Sequence, residues 1–361
     1  MLRKFAKYWR DSASLLVLAR SKPTASTSEY NYKVLVFKRP AKMSFMPNSI
    51  VFPGGAFDKQ DDSPDWKTFF SDRGVGPGAL GTLSDVRGPR PHIFRTERPE
   101  ELDRNLSLRL CALREAFEEL GLLLVTPEKG GHERTFSQCL ASFDVTNWQR
   151  RIHDGETTFL KLHTELGTVP DMFHLYEWSC WLTPAMFRKR RFETAFYLAL
   201  LDTQPEVYPE AHEVVEHFWD TPAALLEAHR REEIWLAPPQ CYELTRLSYV
   251  RDIDRIARFV ATRNGLGSTR LCPVQYNAAD GVLFVLPGDD LYPHDYDHIT
   301  EHADLDRFGA VPLEELRQRG KRLHRVEHRG THRQSYFLNQ PQPDGHLHLA
   351  GDNRHLPEVC A

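Results

Sequence analysis

Long hydrophobic runs are missing from this chain of 361 residues. No stretch approaches the roughly 18 to 20 apolar residues that a membrane-spanning helix needs, so the sequence predicts a soluble protein without a membrane span. An excess of positive charge is missing as well, since the chain has 46 Lys and Arg residues against 50 Asp and Glu residues and a net charge of −4. Binding to duplex nucleic acid is therefore not expected.

Paired cysteine motifs are also absent. The six cysteines are scattered without a Cys-x-x-Cys pair, which argues against a zinc site and against a disulfide scaffold. We therefore expect reduced thiols in an intracellular protein. The length allows one large or two medium domains, and the sequence carries no signal for an oligomeric state.

The most informative segment is REAFEELG, Arg114 to Gly121. Apolar residues before and within it recur at steps of four and three, which predicts an amphipathic helix that ends at Gly121. Glu115, Glu118 and Glu119 would share a face of this helix and repel one another near its negative end. A hard divalent cation such as Mg²⁺ or Mn²⁺ would compensate, because it binds carboxylate oxygens and substrate phosphates together.

The same segment resembles the core of the Nudix box, in which Arg-Glu is followed by Glu-Glu and a glycine. The family pattern begins with a glycine, with an acid six positions later and the arginine eight positions after that. Gly55 and Asp61 fit the first two positions, but Arg114 follows Asp61 by 53 residues, so the box carries 45 extra residues. An insertion of this kind is tolerated on a surface because loop-closure entropy grows slowly with length.

The interrupted box and its surroundings resemble the acyl-coenzyme A diphosphatase branch of the Nudix hydrolases. The segment VFKRPAKMSFMPNSIVFPGGAFD resembles the coenzyme A motif that precedes the box, and RRFETAFYLALL and WLAPPQCYEL resemble downstream segments. The resemblance implies an α/β/α Nudix sandwich with a mixed sheet. It divides the chain into a lead at 1–11, a Nudix domain at 12–290 with insertions at about 62–105 and 132–175, the second helical, and a C-terminal extension at 291–361.

The resemblance also implies roles for the box residues. Glu115, Glu118 and Glu119 would hold Mg²⁺ or Mn²⁺, and Glu115 is either a metal ligand or the group that takes the proton of the attacking water. Arg114 would orient the carboxylates through charge-assisted hydrogen bonds. Glu115, Glu118 and Arg114 are therefore the expected catalytic residues.

Other positions are weaker expectations. Lys38 and Arg39 would contact substrate phosphates, or else they are solvated charges beside an edge strand. Gly54 and Gly55 would bring the backbone close to the metal and the substrate. Further candidates for the site are Asp61, as the displaced acid of the box, and Glu193 and Glu213, as downstream carboxylates of which one could serve as a base.

Three functions follow from these residues. The first is metal-dependent hydrolysis of the diphosphate of coenzyme A or acyl-coenzyme A, giving adenosine 3′,5′-bisphosphate and 4′-phosphopantetheine or its acyl form. The second is a Nudix hydrolase of ADP-ribose, NADH or another nucleoside diphosphate derivative. The third is a Nudix-fold binding module without turnover, against which the intact glutamates argue.

The family resemblance and the two ends of the sequence both bear on the location of the protein in the cell. The family resemblance points to peroxisomes or mitochondria, and the basic, aromatic residues 1–11 are either a short mitochondrial presequence or a lead-in to the first strand. The final Val-Cys-Ala is not a peroxisomal tripeptide of the Ser-Lys-Leu type.

Three further patterns give structural expectations. The apolar spacing predicts one long helix from Tyr242 to Gly265. His324, His328 and His332 recur every four residues, which on a helix would resemble metal-ligand spacing, but the Arg-Gly pair between them favours a hairpin without a metal. Trp178 and Trp181 are expected in the core, with an aromatic wall of a binding site as the alternative.

Overall fold

The computed structural model describes residues 9–22, 29–96, 98, 100–127, 135–187, 190–299 and 304–349. Residues 1–8 of the predicted lead and 350–361 of the predicted extension thus lie outside the described residues. In chain order the strands are β1 (Arg10–Arg20), β2 (Tyr32–Lys38), β3 (Ile50–Val51), β4 (Gly54–Ala56), β5 (Leu123–Val125), β6 (Gln138–Leu140), β7 (Tyr176–Leu182), β8 (Phe192–Leu201), β9 (Glu216–Asp220), β10 (Arg270–Leu271), β11 (Val274–Ala278), β12 (Gly281–Val285), β13 (His324–His328) and β14 (Gln334–Leu338). The helices are α1 (Asp65–Asp72), α2 (Pro77–Gly81), α3 (Arg104–Leu120), α4 (Val145–His153), α5 (Phe159–Leu166), α6 (Pro222–Arg230), α7 (Pro238–Ser248), α8 (Ile253–Arg263) and α9 (Leu313–Arg319).

The main sheet is mixed and is built around β1. Its strand order is β10-β7-β8-β1-β2-β3, with β4 paired to β1 and β9 to β2. β1 runs parallel to β8 but antiparallel to β2 and β4. The start of β1 pairs with β4 and its end pairs with β2, so β4 is held beside the first residues of the central strand.

Side chains of β1 alternate between two cores. Leu15 and Val17 belong to the core cluster that contains α3, and Leu16 and Leu18 belong to the cluster that contains α7 and α8. Because both faces of β1 are covered, its sequence is continuously apolar rather than alternating. Helices on both faces of a mixed sheet make the α/β/α sandwich that was predicted.

The long helix predicted from Tyr242 to Gly265 is wrong, because the structure has two helices there. α7 ends at Ser248, and Asp252 caps α8 by accepting a hydrogen bond from the backbone N–H of Asp254. An aspartate side chain at such a position satisfies an N–H that would otherwise lack a partner at a helix start. The apolar spacing continues across the break between the two helices and therefore does not reveal it. The residue that marks the break is Asp252, the N-cap of α8.

The insertion expected at about 62–105 contains α1, α2 and short 3-10 helices. Trp66 and Phe69 of α1 contact the rings of Phe159 and His163 of α5, with ring centroids 6.3 Å apart for Trp66 and Phe159 and 6.4 Å apart for Phe69 and His163. The insertion inside the box therefore packs against the helical insertion that follows it.

His163 should make this packing sensitive to acid. Burial, with Arg73 as a smaller cause, lowers the pKa of His163 to about 3. The unfolded chain then binds a proton below about pH 6.5 that the folded chain does not bind, so the free energy of unfolding should fall by about 1.4 kcal/mol per pH unit from this group. Urea unfolding at pH 7, 6, 5 and 4 should show a shallower decline for His163→Leu than for the wild type, and equal declines would contradict this.

A second, four-stranded sheet follows the main one in the chain, with the order β11-β12-β13-β14. Val274 and Leu283 lie on one face of it in a small core with Leu313 and Leu316 of α9. β13 and β14 form the hairpin expected from the Arg-Gly pair among the histidines. This sheet begins at Val274, so its strands β11 and β12 precede position 290, where the Nudix domain was expected to end.

Among the described residues, no helix has both the length and the apolar character that crossing a membrane requires.

Candidate active site

The three glutamates lie at the end of α3, next to its terminating glycine. Asp103 caps the start of α3, and Gly121 ends it in the left-handed conformation with φ of 70°. A Cβ at Gly121 would lie 2.7 Å from Val145 Cγ1 and 2.9 Å from Tyr208 Cβ. Glycine is therefore required both for the backbone conformation and for the space.

Arg114 holds the carboxylates of the site together. Its Nε and Nη2 donate to the two oxygens of Asp61 at 2.8 and 3.0 Å, and its Nη1 donates to Glu115 at 2.9 Å and to Glu118 at 3.1 Å. Nη2 also donates to the carbonyl of Ala56 at 3.1 Å. Burial alone would lower the pKa of Arg114, but Glu115 and Asp61 raise it above its ordinary value. The guanidinium therefore stays charged although it is buried.

Gly54 and Gly55 permit two different close approaches. Gly54 has φ of 151°, and its N–H donates to Glu119 Oε2 at 2.8 Å. A Cβ on Gly54 would overlap the backbone oxygen of Ala13 in β1, whereas a Cβ on Gly55 would overlap the carboxylate of Glu115. The first glycine thus lets β4 pair with β1, and the second leaves room for a glutamate of the box.

Alanine substitutions at these two glycines should separate stability from activity. Gly55→Ala should displace the flexible end of Glu115 and lower turnover at least tenfold, with a change of less than about 1 kcal/mol in the free energy of unfolding. Gly54→Ala should instead cost about 1–3 kcal/mol, because it strains the backbone at positive φ against β1. Urea unfolding and turnover measured on both variants check this, and equal stability losses would contradict it.

The carboxylates are costly to ionise together. Burial raises the pKa of Glu115 to about 8, helped by Glu118 and Asp61 and opposed by Arg114. Burial also raises the pKa of Glu118, and burial followed by the charge of Glu115 raises that of Glu119 well above its usual range. One arginine therefore does not balance the negative charge of this cluster, and a further cation would stabilise it.

The residue types suit a hard divalent cation. Such ions take carboxylate oxygens, and Glu115, Glu118 and Glu119 would supply them. Within the described ranges no three His, Cys, Asp or Glu side chains are grouped closely enough to hold a metal ion. Arg114 donates to Glu115 and Glu118, and the N–H of Gly54 donates to Glu119. The side chain of Glu118 is 26% exposed, so it can turn toward an ion without unpacking the core.

A cavity of about 510 Å³ lies beside this cluster, which is within the usual size range of about 300–1,000 Å³ for small-molecule sites. Glu115, Glu119, Gly54 and Gly55 contribute to its lining, together with Arg39. Acidic side chains and a cationic one therefore face the same space. This arrangement can hold a metal ion and an anionic group next to each other.

Comparison with known proteins agrees with this geometry. The family model described as NUDT19 Nudix domain matches residues 9–247, and the model described as NUDT19 C-terminal domain matches residues 275–339. The chain belongs to the NUDT19 family of Nudix hydrolases. The resemblance stated from the interrupted box is thereby confirmed, and Nudix hydrolases in general use divalent metal ions.

Individual NUDT19 proteins are similar over most of their length. An acyl-coenzyme A diphosphatase NUDT19 from Gallus gallus is 35% identical over 353 residues, covering 92% of each chain. The protein of the same name from Xenopus laevis is 34% identical and covers 89% of this chain and 90% of that one. The one from Homo sapiens is 33% identical and covers 90% of each.

In this NUDT19 family member, the two halves of the interrupted box meet in space. Asp61 is 2% exposed and lies at the end of a 3-10 helix that Asp58 caps. It forms the two-pronged ion pair with Arg114 across a sequence separation of 53 residues. The insertion thus leaves Asp61 in contact with the box arginine, and Asp61 is a partner of Arg114 rather than a member of the cavity lining.

The predicted substrate contacts separate into two places. Arg39 lines the main cavity close enough to Glu119 for its charge to oppose, as a minor cause, the rise that burial gives to the pKa of that glutamate. Lys38, the preceding residue in β2, faces another cavity of about 400 Å³ together with Glu216 and His332. Because successive side chains of a strand point to opposite faces, only one of the two cations can face the glutamates.

The downstream carboxylates also differ in their placement. Glu213 lines the main cavity and raises the pKa values of Glu118 and Glu119. Glu193 is fully buried in β8, where it accepts a hydrogen bond from Trp9 Nε1 at 2.8 Å and lies 3.6 Å from Arg270. The structure therefore brings Glu213 to the box glutamates but does not bring Glu193 there.

Two further arginines line the cavity and were missed in the sequence. Arg10 begins β1, and Arg190 lies in the connection before β8. No local motif marks either residue, because their common position at the cavity depends on the parallel pairing of β1 with β8.

Trp178 and Trp181 are both buried, as expected, and both indole N–H groups donate to Glu243 at 2.8 Å, but Trp181 also lines the cavity.

Proposed function

We propose that this chain hydrolyses the diphosphate bond of coenzyme A and acyl-coenzyme A. The products would be adenosine 3′,5′-bisphosphate and 4′-phosphopantetheine or its acyl form. The observation that carries the proposal is a cavity that box glutamates and arginines line together, in a chain about 35% identical to acyl-coenzyme A diphosphatases over 92% of its length. An acidic substrate with a diphosphate needs both kinds of group.

The metal belongs to the proposal as well. Glu115, Glu118 and Glu119 would hold Mg²⁺ or Mn²⁺, which when bound neutralises phosphate charge and lowers the pKa of a water molecule. Arg114 keeps Glu115 and Glu118 in one orientation through hydrogen bonds of 2.9 and 3.1 Å. The N–H of Gly54 fixes Glu119 in the same way. These contacts restrict the rotation of the three carboxylates and so favour the orientations in which they would bind the metal.

Other residues of the chain would bind the substrate and move the proton. Arg39, Arg10 and Arg190 line the cavity and would pair with phosphate oxygens. Glu115 lines the cavity and is the first candidate for the group that takes the proton of the attacking water. Glu213 faces the same cavity and is the second candidate for this role.

A product assay tests the proposal. Purified protein is incubated with coenzyme A, acetyl-coenzyme A, ADP-ribose or NADH, with Mg²⁺, with Mn²⁺ or with EDTA, and products are separated by chromatography. Metal-dependent release of adenosine 3′,5′-bisphosphate is expected. AMP from ADP-ribose or NADH without cleavage of coenzyme A would refute the substrate, and tight ligand binding without any product would refute the enzyme.

A peroxisomal or mitochondrial location is part of the same proposal, because the family resemblance implies it. The test is fluorescence microscopy of the full chain carrying an internal tag, so that both termini stay free. Co-localisation with a peroxisomal or mitochondrial marker is expected. A diffuse cytosolic signal that overlaps neither marker would count against the proposed location.

A further inference from the structure

One face of the second sheet closes the far wall of the catalytic cavity. Phe284 of β12, Val326 of β13 and Tyr336 of β14 all line it. The strand register places Phe284 opposite Val326, and Val326 opposite Tyr336. These three side chains therefore form a row across neighbouring strands, on the face opposite the small core with α9.

The next row on the same face is more polar. His328 lies opposite Gln334, and both line the cavity two positions along their strands from the first row. The ring of His328 packs on Phe284 with centroids 4.9 Å apart, and Tyr336 donates its hydroxyl hydrogen to Gln334 Oε1 at 2.6 Å. The wall is thus a fixed surface of packed rings rather than loose loop side chains.

Aromatic contacts join this wall to the main domain. Tyr242 of α7 lies with its ring 5.9 Å from that of Tyr336 and 5.0 Å from that of Trp181 in β7, and all three line the cavity. Burial raises the pKa of Tyr242, so its ring is neutral. The cavity therefore runs from the charged end of the box glutamates to a wall of uncharged aromatic and aliphatic groups.

We infer that the second sheet receives the acyl chain of the substrate and thereby sets the preference for chain length. This inference rests on the proposed function, since it assigns the uncharged end of the same cavity. The diphosphate must lie at Glu115 and Glu119, so the thioester end extends away from them within the cavity. An alkyl chain on this surface gains about fourfold in affinity per buried methylene, the equivalent of about 0.8 kcal/mol.

Gln334→Trp tests the inference, because it fills the cavity from β14. The matched control is Ser335→Trp, which adds the same side chain on the neighbouring exposed position of β14 that points to the other face. Phe284→Trp is a second filling variant on β12. Thermal unfolding of each variant establishes that it is folded, and kcat/KM is measured with coenzyme A, acetyl-coenzyme A and lauroyl-coenzyme A.

Both filling variants should lower kcat/KM for lauroyl-coenzyme A at least tenfold while that for coenzyme A stays within about threefold. Ser335→Trp should change neither value more than about twofold. A filling variant that lowers kcat/KM equally for lauroyl-coenzyme A and coenzyme A, or for neither of them, would overturn the inference. Wild-type protein that releases no adenosine 3′,5′-bisphosphate from any of the three would defeat the proposed function instead.

Hydrogen exchange of the wild type provides a measurement that needs neither variants nor turnover. In EDTA, lauroyl-coenzyme A should slow amide exchange in residues 282–286 and 324–338 more than coenzyme A does. Equal protection by the two ligands would overturn the inference even if the variants do not fold. Selective protection in EDTA, combined with no hydrolysis of any of the substrates in Mg²⁺ or Mn²⁺, would support an acyl-binding wall while the catalytic proposal fails.

Discussion

Glu118→Gln is expected to lower kcat/KM by about 10²- to 10³-fold, the range seen when one preorganised electrostatic group is removed from an active site. The side chain keeps its size and can still accept a hydrogen bond from Arg114. What is lost is the negative charge that would hold the divalent ion. Turnover with saturating Mg²⁺ or Mn²⁺ measures the effect.

The same variant should not be less stable than the wild type. Burial raises the pKa of Glu118 in the folded chain, so above both its folded and unfolded pKa values the ionised group disfavours folding. Metal-free Glu118→Gln should therefore melt at the same or a higher temperature at pH 8. The stabilisation that Mg²⁺ gives to the wild type should be smaller in the variant.

Glu165→Gln is the matched control, since it neutralises an exposed glutamate on α5. It should leave turnover, melting temperature and metal-induced stabilisation unchanged. Loss of activity in Glu118→Gln together with a lower metal-free melting temperature would show that Glu118 serves the fold. In that case the metal-ligand role would be withdrawn.

The sheet and the catalytic helix were accessible from the sequence for local reasons. The continuous apolar run of β1 reflects burial on both faces, and the apolar spacing of α3 reflects one buried stripe. Both signals lie within one element. The break between α7 and α8 was missed because the apolar spacing continues through it, and Asp252 acts as a cap only in the observed backbone conformation.

The cavity lining was accessible only in part, because it depends on which elements meet. Arg114 and the glutamates lie in one helix, so their grouping follows from helical spacing. Arg10 and Arg190 meet through strand pairing between β1 and β8, and Tyr336 reaches the cavity through a second sheet. Lys38 and Arg39 show the limit, since adjacent charges in one sequence motif face two different cavities.

Arg114→Met should cost about 3–5 kcal/mol in the free energy of unfolding. Removing one partner of a buried ion pair leaves the other charge buried without compensation. Here Asp61 loses both hydrogen bonds from the guanidinium, and Glu115 and Glu118 lose their shared donor. Urea unfolding at pH 7 measures the loss, and turnover should fall as well because the carboxylates lose their common orientation.

A double-mutant cycle distinguishes this ion pair from a general packing effect. Asp61→Asn combined with Arg114→Met should lose less stability than the sum of the single losses, because the double variant no longer buries an unpaired Asp61 charge. Arg150→Met is the control, since Arg150 pairs with Asp154 at an exposed position and exposed ion pairs contribute little to stability. Additive losses for Asp61 and Arg114 would mean that the interrupted box is not joined through their contact, and the 45-residue insertion would then need another explanation for being tolerated.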